Sequence, residues 1–125
     1  MTRAEFIQRL VLNTITDDFD NVDQVILSDV AQVGAKYGLA ISRSEVVEAM
    51  RALVEAGLAR PYELYARDPY SVELPDMPPL KVEEVNFKTY FYVTERGMDF
   101  HEADGSWWPF DDQGALRPDW NPPEE

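Results

Sequence analysis

Ile41-Ser42-Arg43-Ser44-Glu45-Val46 opens, and Leu53-Val54-Glu55-Ala56-Gly57-Leu58 closes, the helix on which the reading of the whole chain turns. Ser42 followed three residues later by Glu45 is a capping box: the hydroxyl accepts from one free amide while the carboxylate reaches back to another. Val46, Met50, Leu53 and Val54 then recur at helical spacing as an inward stripe, with Arg43, Glu48, Arg51 and Glu55 facing outward. Gly57 is placed to end the helix in the left-handed conformation that an L side chain resists.

Working towards the N-terminus, Gly38 is a stop for a helix covering at least Asp29 to Tyr37. Its beginning has two readings. Val22, Val25, Ile26, Val30 and Val33 fit one long helix capped by Asn21 and Gln24. Alternatively, Gln24 to Leu27 is a short strand and Ser28 caps a helix behind it. Before this, Asp17-Asp18-Phe19-Asp20-Asn21 breaks a first helix, which Thr2-Arg3-Ala4-Glu5 caps. Phe6, Ile7, Leu10, Val11, Thr14 and Ile15 carry that helix to about Asp17 and leave Leu12 off the stripe.

Towards the C-terminus, Leu58 to Ala66 alternates like a strand, and Pro61 argues for an edge position because it has no amide to donate. Arg67 to Asn86 is a Pro-rich connection. Phe87 to Val93 is the strongest strand pattern, and two strands joined by one long loop make a hairpin the economical topology. Thr94-Glu95-Arg96-Gly97 opens a short last helix to about Glu102. From Asp104 onward the residues lose periodicity and become rich in Trp, Pro and Asp.

This order of elements resembles a winged-helix domain of the kind found in small bacterial transcriptional regulators. Leu27-Ser28-Asp29-Val30-Ala31 resembles the start of their second helix, and Ile41 to Val46 the start of the third, recognition helix. Leu53 to Leu58 is similar to its exit, and Tyr92-Val93-Thr94-Glu95-Arg96-Gly97 to the junction after the wing. The resemblance covers roughly residues 5 to 103. It implies an α+β fold: a three-helix core, a two-stranded β-hairpin wing, a short fourth helix and an extended C-terminal tail. The winged-helix-like domain then spans residues 1–103, and residues 104–125 are an acidic, aromatic tail packing on that domain or on a partner. If such a domain reads DNA, its third helix enters the major groove. Arg43, Ser44, Val47 and Arg51 are then the nucleic-acid contacts.

Charge weighs against that use. The chain of 125 residues carries 24 acidic and 11 basic side chains, a net charge of −13. Residues 1–60 hold 6 basic and 9 acidic groups, whereas residues 61–125 hold 5 and 15. Residues 43–60 set Arg43, Arg51 and Arg60 against Glu45, Glu48 and Glu55, a net of zero. The wing sets Arg67 and Lys81 against Asp68, Glu73, Asp76, Glu83 and Glu84, which opposes the cation–phosphate contacts that supply most non-specific affinity for DNA. Two function classes follow. The first is a non-catalytic interaction or accessory module with a protein partner or as a homodimer, with DNA disfavoured by charge. The second is a DNA-binding transcriptional regulator.

No catalytic, cofactor-binding or metal-ligating set stands out. With no Cys, thiolate chemistry and Cys-bound metals are excluded. Asp18 to Asp29 fails the calcium-loop pattern: Val22 replaces an oxygen ligand, and the central Gly and terminal Glu are missing. His101 is the sole histidine and has no nucleophile motif beside it. Gly34 and Gly38 form no phosphate loop. Leu74 to Leu80 suits either a polyproline II ligand or a stiff loop over the hairpin. No signal-peptide pattern opens the chain and no run approaches a bilayer span, so a cytoplasmic protein with no membrane partner is expected. Trp107, Trp108, Phe110 and Trp120 are the candidates for self-packing or partner binding, because rings of this size are seldom left in water.

Overall fold

A computed structural model describes residues 1–36, 38–78, 80, 86, 88–120 and 123. Among them the chain forms four α-helices and a three-stranded antiparallel sheet, an α+β fold. The helices are α1 (Arg3–Thr14), α2 (Leu27–Ala35), α3 (Arg43–Glu55) and α4 (Glu95–Ala103). The strands are β1 (Ala59–Leu64), β2 (Ser71–Glu73) and β3 (Tyr90–Val93).

Helices α1, α3 and α4 each begin where a side chain satisfies a free amide. Thr2 accepts from the Glu5 amide, Ser42 and Glu45 form the reciprocal box, and Thr94 accepts from the Gly97 amide. Asn21, fully buried, accepts from the Gln24 amide at 2.7 Å and starts a π-helical turn, Val22–Ile26, that runs into α2. The long-helix reading of this segment is therefore the observed one, since Ser28 caps nothing. Helix α2 ends at Ala35, before Gly38 at φ 84°, and the expected end at Tyr37 lies outside the described residues. Gly57 at φ 77° closes α3.

Helix α1 corrects the amphipathic reading. It stops at Thr14, short of Asp17, and Leu12 is fully buried with Phe6, Ile7, Leu10 and Val11. The reason is position: α1 packs against α2, α3 and α4 together, so a single polar stripe is all it exposes to water. Ile15 follows into the core, and its carbonyl accepts from the Val93 amide.

The sheet corrects the hairpin expectation. Its order is β2-β1-β3, so three strands stand where a two-stranded hairpin is expected, and β1 is central rather than at an edge. After Leu64 the chain turns through Asp68-Pro69, a cis peptide bond, and Tyr65 N–H donates to the Tyr70 carbonyl, which brings β2 back beside β1. Pro61 is tolerated because its missing amide faces the end of the short β2, and its carbonyl still accepts from the Leu74 amide. Asn86 Oδ1 accepts from the amides of Lys88 and Thr89, a turn that delays β3 to Tyr90. Phe87, the expected start of that strand, lies outside the described residues.

Beyond β3, Asp20 and Phe91 exchange both backbone hydrogen bonds, at 3.1 and 2.8 Å. This ties the loop between α1 and α2 to the sheet. Phe19 beside it stacks on Tyr92 at 4.7 Å and meets Tyr62 edge-on at 5.0 Å. Helix α4 docks through Gly97, where a Cβ would lie 2.0 Å from the Leu58 carbonyl oxygen. No described helix is long and apolar enough to cross a membrane.

Candidate functional site

Helix α3 carries the four residues expected to meet nucleic acid, and its surroundings decide what they can do. It packs against α1, α2, the π turn and β1, so Val46, Val47, Ala49, Met50, Leu53 and Val54 are all buried. Val47, at 0% exposure, is a core residue and not a surface contact. That is a correction: a helix enclosed on several sides has a wider apolar face than the usual stripe.

Arg43, at the first turn, directs its guanidinium to the Asp23 carboxylate, with Nε–Oδ1 at 2.6 Å and Nη2–Oδ2 at 3.0 Å. The Asp23 side chain is only 5% exposed and also accepts from the Asn86 amide at 2.7 Å. The Arg43 hydrogen bonds hold this carboxyl below the usual range, against the opposing effect of burial. Arg51 donates to Glu48 at 2.8 Å and to the Leu80 carbonyl at 2.6 Å. Arg60 is held in turn by Glu73 and the carbonyls of Leu74 and Pro75. These arginines tie α3 and β1 to neighbouring loops. What α3 turns fully to water is Ser44, Glu48 and Glu55. Lys81, Glu83 and Glu84, counted in the wing's charge, lie outside the described residues.

At the opposite end of α1, Arg3 pairs with Glu45 at 2.7 Å and donates to the Ala40 carbonyl. The Arg3 hydrogen bonds, helped by those from Ser42, bring the Glu45 carboxyl down to about 2. Between these helices lies a groove of about 440 Å³ whose floor includes Ala4, Ile7 and Ala49.

The aromatic tail lies against α1. Trp107 is 5% exposed and meets Phe6 edge-on at 6.2 Å. Trp120 sits 5.6 Å from the same ring and donates its indole N–H to the Trp107 carbonyl at 3.0 Å. Trp108 and Phe110 are half-buried, linked edge-to-face at 5.6 Å. A turn closed by Asp111 and Ala115, with Arg117 donating to the Ser106 carbonyl, holds the segment together. His101 lies 6.1 Å from Trp107, and burial, then the Arg9 charge, keeps its imidazole below the usual pKa.

Trp108 also walls a second groove, of about 330 Å³, between α1 and α2. Leu10 and Val30 form its floor, Asp17 and Asp29 stand on its rim, and Lys36 lies at its lining. Nearby, burial and then the charges of Asp18 and Asp29 raise the Asp20 carboxyl to about 6. Sequence reading singled out Trp108 without these partners, because residues 17, 29 and 108 converge only through tertiary packing. The same is true of Asp23: its pairing with Arg43 spans 20 residues and has no local signal. Among the described residues no His, Asp and Glu side chains group as a metal site. Compared with known protein families, curated proteins and solved structures, the chain gives no match.

Proposed function

We propose that the chain is a non-catalytic protein-interaction or accessory module on a winged-helix frame, and not a strong DNA binder. The frame is supported by the order helix, helix, helix, strand, long excursion, strand, helix. The observation that carries the functional half is the state of α3. Arg43 and Arg51 are engaged by Asp23, Glu48 and the Leu80 carbonyl, and Val47 is in the core. A helix that reads DNA needs cationic or polar side chains directed at base edges and phosphate. Here only Ser44 meets that description, and Glu48 and Glu55 beside it repel the backbone.

Fluorescence anisotropy with a labelled duplex at low salt tests the proposal. The expected result is no saturable binding. Tight binding that weakens steeply with added salt would overturn it in favour of a transcriptional regulator, with Arg43, Ser44 and Arg51 at the interface. In that case Arg43→Ala and Arg51→Ala weaken binding.

A further inference from the structure

The groove between α1 and α2 combines three features that together select a ligand. Its base is Leu10 and Val30, almost wholly covered, and the half-buried Val33 completes its apolar lining. Its wall is the Trp108 ring, fixed edge-on between Trp107 at 5.3 Å and Phe110 at 5.6 Å. Its rim holds two exposed carboxylates, Asp17 just beyond α1 and Asp29 in the first turn of α2. Neither carboxylate is in an ion pair among the described residues. Beside the groove, burial and then the charges of Asp18 and Asp29 raise the Asp20 carboxyl to about 6.

We propose that this groove takes an arginine side chain from an extended segment of a partner protein. The methylene stem of an arginine lies along Val33 and the Trp108 ring while its charged head stays at the rim. A guanidinium stacks on an indole face and offers parallel N–H donors to carboxylates, which a compact ammonium does less well. Charge complementarity sets the sign of the partner: the chain's net charge of −13 attracts a basic segment and speeds its encounter. Lys36 restricts it further. Its Nζ lies 5.2 Å from the Phe110 ring centre, at the aromatic end of the groove, and repels a second cation there. The groove thus favours an isolated arginine over a polybasic run.

The assignment rests on the interaction-module reading for the partner being a protein. Its probe is a capped hexapeptide with one central arginine, compared with a twin carrying neutral citrulline. Each is titrated into the ¹⁵N-labelled full chain and followed by amide and indole shifts. Saturable shifts are expected at Asp17, Asp29, Gln32 and the Trp108 indole, with the citrulline twin about tenfold weaker. Asp17→Asn with Asp29→Asn weakens the arginine peptide about tenfold, and Lys36→Met tightens it about threefold. All three positions are exposed, so both variants keep the fold, which their melting temperatures verify. Equal binding of the citrulline twin, shifts scattered over other acidic segments, or an unchanged affinity in the double variant overturns the assignment. So does the absence of saturable shifts. These outcomes leave the module reading standing, whereas duplex DNA binding would remove that reading whatever the peptide does.

Discussion

Replacing Gly97 by Ala sets two effects of opposite sign against each other at one atom. Gly97 is the third residue of α4, and in an exposed helix the substitution would stabilise by up to about 1 kcal/mol through helix propensity. Here the added Cβ would lie 2.0 Å from the Leu58 carbonyl oxygen and 2.8 Å from Val93 Cγ2, where ordinary contact begins at 3.4 Å. The Leu58 oxygen belongs to the backbone and cannot rotate aside, so α4 has to move. That movement strains two bonds anchoring the helix: Thr94 N–H to the Leu58 carbonyl at 3.0 Å, and Thr94 Oγ1–H to the Gly57 carbonyl at 2.7 Å. Overpacking of this kind with two compromised hydrogen bonds outweighs propensity and leaves a net loss of about 3 kcal/mol. For a chain of this size that is a fall in melting temperature of roughly 10–15 °C. Far-UV circular dichroism during thermal and urea unfolding measures it. Gly105→Ala, where nothing lies within 4 Å, serves as the control and stays within about 0.5 kcal/mol of the parent. A Gly97→Ala melting temperature equal to or above the parent's would refute the close approach of α4 to the Leu58 backbone.

Two carboxylates give opposite pH dependences. Asp20 is raised from 3.8 to about 6, so the folded chain keeps a proton that the unfolded chain has already released, and its contribution to stability is lost as pH rises through about 6. Discounted for its partial exposure, Asp20→Asn stabilises by about 1 kcal/mol at neutral pH and flattens urea midpoints between pH 4 and 7; a steeper profile would contradict the assignment. Glu45, lowered from 4.5 to about 2, contributes above pH 4.5 and loses that contribution as pH falls towards 2, so Glu45→Gln destabilises at neutral pH and matches the parent near pH 2. Trp107→Ala removes a buried ring between Phe6 and Trp108 and costs about 3–4 kcal/mol by calorimetry, against no change if the tail contributes nothing to stability.

The parts of the fold legible in the sequence are those governed by local chemistry. Ser42 and Glu45, Gly57, Thr94 and the stripe from Val46 to Val54 act within a few residues of one another, and the elements they mark are present. The missed features are all non-local. Strand β2 is three residues long and largely exposed, so it has no alternation to read, and it exists because a turn at residues 65–70 brings it to β1. Val47 and Leu12 are buried because several elements close over α3 and α1, which helical periodicity treats as having a wet side. The candidate site divides in the same way. Arg43 and Arg51 are identifiable as outward-facing, but the carboxylate and carbonyl that engage them come from Asp23 and Leu80, distant in sequence. The groove beside Trp108 needs three separate segments and was legible only as a lone aromatic residue.

The placement of the indoles also determines what an optical experiment on this molecule sees. Trp107, Trp108 and Trp120 are the chain's three tryptophans, and all lie in the tail. Trp107 and Trp120 share the Phe6 ring, and His101 lies 6.1 Å from Trp107. Intrinsic emission therefore reports whether the tail is seated on α1, while far-UV ellipticity reports α1 to α4. If the tail lifts before the helices melt, the two signals separate along a denaturant axis, and a single-transition fit to fluorescence alone would assign the tail's detachment energy to the whole domain.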